Sequence, residues 1–196
     1  MSQHIDFLTW WRETHQSQSS AEQMWESWQA PHRAMILVAL SCLPDVISLY
    51  EVGCGSGPNL RLLQKHRHWL ALGGSEPCPG MAVFASEQLG ILIDQTALPD
   101  GPTTTWDVIL SCYTMAYLDP EALRDTLATL HAGGHHYLIL MEPMGHGELG
   151  QRGQALPEWY HDYLPVLRAT GWTLVWRWPI IPSVDGMNGL LVVERE

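Results

Sequence analysis

Three glycines at alternate positions stand directly behind an acid in the stretch Glu51-Val52-Gly53-Cys54-Gly55-Ser56-Gly57-Pro58-Asn59. Glycine lets a backbone take conformations that side chains disfavour and lets it approach a ligand with no Cβ in the way. A helix opening just after such a turn points free N–H groups at whatever sits there, and Glu51 adds a carboxylate at the same place. That acid repels a pyrophosphate and suits a ligand carrying cationic groups. A dinucleotide fingerprint would place its third glycine at position 58, which is Pro58. The pattern reads either as a seat for a cofactor other than a dinucleotide or as a tight strand-to-helix turn with a structural role alone.

A second acid, Glu76, follows Leu70-Ala71-Leu72-Gly73-Gly74-Ser75 about 20 residues beyond the glycine turn, where doubly wound folds carry a ribose-binding carboxylate. Its two oxygens can accept from both ribose hydroxyls, which one amide oxygen could not do. A third acid, Asp94, closes the apolar run Ile91-Leu92-Ile93 and is followed by Gln95.

Positioning these groups requires strands that end at them. Val46, Ile47, Leu49 and Val52 form an apolar run before the turn, and Leu60, Leu62 and Leu63 recur at helical spacing after it. Further strands are expected from Leu70, Gly90, Trp106 and His136. A helix starts at Asp119-Pro120-Glu121, runs through Leu123, Leu127 and Leu130, and stops at Gly133-Gly134. A long loop from Met144 to Leu156 contains His146, and Pro157 is expected to open a helix containing Trp159, Tyr160, His161 and Asp162. Trp172 to Ile181 and Met187 to Val193 read as an antiparallel pair. Three helices precede the first strand: residues 3 to 15, a second capped by Ser19 with Glu22, and a third from Pro31 to Pro44. This succession predicts an α/β protein with a doubly wound, mostly parallel sheet (residues 46–196) and an N-terminal helical extension (residues 1–45), forming one compact unit.

The glycine turn with its leading acid, together with Glu76 in register, resembles the first two motifs of class I S-adenosylmethionine-dependent methyltransferases, over roughly residues 46 to 194. The resemblance implies seven strands with the last antiparallel, S-adenosyl-L-methionine as cofactor, and transfer of its methyl group to an oxygen or nitrogen of a small molecule by in-line displacement. It carries cofactor contacts to Glu51, Gly53, Cys54, Gly55, Gly57 and Asn59 of the turn, to Glu76 and Pro77, and, for the adenine, to Asp94 and Gln95. Ser111 and Cys112 fall where the family's fourth strand exits towards the transferable methyl. Asn-Pro-Pro-Tyr, which marks many enzymes that methylate bases or glutamine, is replaced there by Ser111-Cys112-Tyr113-Thr114, which argues against those substrates.

A base helps only an acceptor that arrives protonated, and His146, His161 and Tyr113 are the candidates, with His32 and Asp162 behind them. A rim of Trp25, Trp28, Tyr113 and Trp159 would favour an apolar, aromatic or cationic small molecule. Two other classes stay open: a non-catalytic S-adenosylmethionine-binding partner subunit acting through its tryptophan-rich N-terminal helices, and a nicotinamide-dependent reductase on a similar sheet.

Composition narrows the partners. The 196 residues suit one core, and no run reaches the length of a membrane span. A net charge of −11, with one lysine and nine unclustered arginines, argues against a nucleic-acid surface. Four cysteines without CxxC spacing suggest neither zinc nor a disulfide framework, so no metal is expected. The N-terminus lacks a basic segment followed by an apolar block, which with the rest implies a cytoplasmic monomer or homodimer.

Overall fold

A computed structural model describes residues 7–144, 151–152, 158–183 and 186–196. Its centre is a seven-stranded sheet in the order β3-β2-β1-β4-β5-β9-β8. The strands are β1 (Ser48–Val52), β2 (Ala71–Ser75), β3 (Ile93–Asp94), β4 (Val108–Cys112), β5 (Tyr137–Pro143), β8 (Trp172–Ser183) and β9 (Gly186–Arg195). β1 to β5 pair in parallel, and β9 runs antiparallel to both β5 and β8. The expected topology is present, with the last strand reversed. The remaining strands, β6 (Gln151–Arg152) and β7 (Trp159–Tyr160), form a separate antiparallel pair.

The central strands bury both faces, so their side chains alternate between two cores. Leu49, Leu110, Ile139 and Val192 enter one, together with Ile36, Leu60, Leu63 and Leu89 from α3 (Ala34–Ser41), α4 (Pro58–His66) and α5 (Pro79–Leu89). Tyr50, Ile109, Leu138 and Val193 enter the other, with Leu123, Leu127, Val166 and Leu167 from α6 (Pro120–Ala132) and α7 (Tyr163–Ala169). Asp119 caps α6 by accepting from the Glu121 and Ala122 N–H groups at 3.0 and 2.9 Å.

Several boundaries differ from the sequence expectation. The N-terminal helices are α1 (Phe7–His15) and α2 (Gln18–Glu26), and α2 is capped by Ser17, which accepts from Ser20 N, rather than by Ser19. Short 3-10 turns at Ser27–Gln29 and Pro31–Arg33 then lead into α3. β3 has two residues where six were expected. The helix expected from Pro157 begins at Tyr163 instead. Trp159 and Tyr160 are extended and paired with Gln151 and Arg152, and Pro165 stands in the first turn of α7, where its missing N–H has no intrahelical acceptor to lose. Among the described residues no helix is long and apolar enough to cross a membrane.

Candidate active site

The turn after β1 is held by the Cys54 N–H to Ser75 O and the Gly57 N–H to Cys54 O, both at 2.9 Å. Gly53, Gly55 and Gly57 have φ of 66°, 57° and 85°, the left-handed region in which a side chain is strained. Space is also closed at Gly53, where a Cβ would collide with the side chain of Thr114.

Around this turn three carboxylates are almost wholly buried at the carboxyl ends of parallel strands: Glu51, Glu76 and Glu142. Glu51 accepts from Asn59 Nδ2 at 2.6 Å through Oε1, while its Oε2 is buried with no hydrogen-bond partner among the described residues. Asn59 is oriented in turn by Arg33, whose Nη1 donates to Asn59 Oδ1 at 2.5 Å and whose Nε and Nη2 donate to the carbonyl and hydroxyl of Ser27. Burial pushes Glu51 up to about 8, against the opposing pull of the Asn59 bond and the Arg33 charge. An unpaired, buried carboxylate oxygen fits a cationic group, which would restore its charge.

Glu76 accepts from Trp11 Nε1 and Cys78 N through Oε1, at 2.9 and 2.8 Å, and from Gly55 N through Oε2 at 2.9 Å. Burial raises its pKa against these bonds. Pro77, beside it, accepts from Arg12 Nε at 3.0 Å through its carbonyl. Asp94 is exposed at the end of β3 and accepts from the Tyr50 hydroxyl at 3.1 Å; Gln95 is exposed next to it. The acids expected to meet cofactor thus end three adjacent strands, β1, β2 and β3, in register with the glycine turn.

At the exit of β4, Ser111 donates to Glu142 Oε1 at 2.6 Å. The same oxygen accepts from the Thr114 and Met115 N–H groups, and Oε2 accepts from Ala116 N at 3.2 Å. One carboxylate of β5 therefore fixes the chain that leaves β4. Burial lifts Glu142 to about 7 although all four donors favour its charged form. Cys112 is buried beside Met141, and burial pushes its thiol up to about 12, so it is a packed and unreactive sulfur.

Tyr113 has φ +56° and meets the edge of the His32 ring, with centroids 6.0 Å apart. His32 is half-buried, and desolvation with the neighbouring Arg33 charge keeps its imidazole neutral. His161 is buried, with Nε2 2.9 Å from Leu118 O, and that carbonyl requires the proton on Nε2. Its Nδ1 is buried without a hydrogen-bond partner among the described residues. His146 lies outside the described residues.

The four aromatic residues expected to rim one opening fall in three places. Trp25 and Trp28 lie against α4, with the Arg61 guanidinium 4.5 and 5.1 Å from their ring centres and Lys65 Nζ 4.2 Å from Trp28. Tyr113 stands at the β4 exit beside His32, and Trp159 stacks on His161 at 6.3 Å. Sequence reasoning did not find Arg33, Trp11, Thr114 or Glu142. The signal available for Glu142 was an acid closing the apolar strand Leu138-Ile139-Leu140-Met141.

No protein-family model matches the sequence, and no curated protein matches it. Solved structures do match in fold. The magnesium protoporphyrin IX methyltransferase of Synechocystis PCC 6803, with SAM bound, superposes with a TM-score of 0.70 at 15% identity, covering 100% of both chains. A SAM-dependent methyltransferase from Leishmania major gives 0.73 at 15% identity, covering 95% of this chain and 81% of that one. An amino pentose methyltransferase from Micromonospora echinaspora, also with SAM bound, gives 0.67 at 16% identity, covering 87% and 92%. The chain has the fold of these S-adenosylmethionine-dependent methyltransferases.

Proposed function

We propose that this protein is an S-adenosylmethionine-dependent methyltransferase acting on an oxygen or nitrogen of a small molecule. The observation that carries the reading is the buried Oε2 of Glu51, without a hydrogen-bond partner among the described residues, beside a left-handed glycine turn. In this reading Glu51 holds the cofactor's ammonium group, the turn from Gly53 to Gly57 lies against its chain, Glu76 takes the ribose, and Asp94 with Gln95 meets the adenine. The small-molecule class is supported by the neighbours, one named for a porphyrin and another for an amino pentose.

When bound, S-adenosylmethionine supplies a methyl group already activated on a sulfonium, so positioning provides much of the catalysis. The clamp of Glu142 on residues 114–116 supports a fixed β4 exit, where Tyr113 and His32 would meet the acceptor. Burial and the Arg33 charge lower the His32 pKa, which favours the neutral imidazole that would take a proton from a hydroxyl or ammonium acceptor. His161, whose Nε2 is engaged with Leu118, is better suited to holding the loop that enters α6.

Calorimetric titration with S-adenosylmethionine and S-adenosylhomocysteine tests the reading, preceded by mass spectrometry for copurified cofactor. Micromolar binding of both is expected, and absence of binding to a folded sample would sink it.

A further inference from the structure

The bonds to Glu76 show a conflict between the N-terminal helix and the ligand proposed above. A carboxylate offers about four acceptor positions. Three are filled by Trp11 Nε1, Cys78 N and Gly55 N, and the two hydroxyls of a ribose need two. The Cys78 and Gly55 N–H groups belong to the turns that build the seat, so they cannot leave without dismantling it. Trp11 is the one side-chain donor among the three.

The helix that carries Trp11 is lightly held. α1 buries none of its residues fully. Its contacts besides the indole bond include the exposed one from Arg12 Nε to Pro77 O, the His15 contacts to Ser20 and Cys78, the partly buried packing of Trp11 on Ala21, Cys78 and Met81, and the stack of Phe7 on Tyr117, with ring centres 3.8 Å apart and planes 7° from parallel. Elements with few buried contacts open at low cost.

We propose that α1 is a strap in which the Trp11 indole competes with the cofactor's ribose for Glu76. Ligand entry releases α1, and docking of α1 disfavours the ligand. The inference rests on the assignment of Glu76 to the ribose and adds to it a regulation of the same seat.

The test compares wild type with Trp11→Phe, which keeps a ring and loses the donor, and with Phe7→Ala, which loosens α1 by removing the stack on Tyr117 and takes neither a hydrogen bond nor a charge from Glu76. Thermal melts first establish that each is folded. S-adenosylhomocysteine is then titrated by calorimetry, and amide hydrogen exchange over residues 7–15 is followed with and without it. Trp11→Phe should bind roughly two- to tenfold more tightly, the equivalent of one hydrogen bond no longer broken. Phe7→Ala should gain less, and α1 amides of the wild type should exchange faster when ligand is added. Should Trp11→Phe not fold, Phe7→Ala and the exchange data decide alone. Binding to wild type with no gain in the variants, or protection of α1 that rises with ligand, overturns the strap and leaves the cofactor assignment standing. No binding to any folded form overturns both.

Discussion

Asn59 donates from Nδ2 to Oε1 of Glu51 at 2.6 Å, and this bond leaves the other oxygen of a wholly buried carboxylate without a partner among the described residues. A group with its pKa raised to about 8 is mostly protonated at neutral pH, and a ligand cation would change that. Binding of S-adenosylhomocysteine, which carries the same ammonium group, should release close to one proton at pH 7. Affinity should rise up to about tenfold between pH 6 and 7, the slope of one linked proton. Calorimetry in buffers of different ionisation enthalpy measures the proton, and Glu51→Gln should abolish both effects.

Glu142 satisfies the Ser111 hydroxyl and three main-chain N–H groups at once. Glu142→Ala strands those donors in the interior, and unfolding in urea should show a loss of about 3 kcal/mol or more. Glu142→Gln keeps an oxygen for part of the set and should lose less. Because the folded pKa is raised from 4.5 to about 7, the folded state binds the extra proton. Wild-type stability should therefore fall as pH rises through that interval, relative to Glu142→Gln.

At Gly53 two penalties coincide, a φ of 66° and a Cβ position already occupied by Thr114. Gly53→Ala should cost about 2 kcal/mol of stability and weaken cofactor binding with it. A variant that binds poorly but melts like wild type would show that the turn tolerates a side chain.

His161 titrates in the opposite sense. Burial lowers its pKa below 6.5, so the unfolded chain takes up the proton first and stability is lost as pH falls below about 6.5. His161→Gln should flatten this acid limb in melts from pH 5 to 7. If His161 is the base as well, the same variant would also remove a limb from the pH–rate profile.

β1, β2, β3 and β5 were legible because each is a short run ended by an acid or a glycine, and β4 because Val108, Ile109 and Leu110 follow one another; Glu51, Glu76 and Asp94 stand where those runs predicted. Contacts made across long sequence separations were not legible. The partners of Glu142 lie 26 to 31 residues before it, and Trp11 reaches Glu76 across 65. Local rules also misplaced the start of α7. Pro157 and Pro165 both satisfy the preference for a first-turn proline, and strand pairing of Trp159 and Tyr160 selects the second. The cluster of tryptophans ahead of the first strand was visible, but the division of labour within it was not. Trp11 bonds to a carboxylate, whereas Trp25 and Trp28 lie against the cations of α4.

The ammonium over Trp28 belongs to Lys65, the sole lysine of the sequence. An amine-reactive dye therefore has one side-chain address, on the helix that starts at the glycine turn. Seated against an indole, such a dye would be quenched while residues 27–29 stay docked on α4 and would brighten when they leave. The chain thus has a place for a single side-chain label that follows its N-terminal segment in real time.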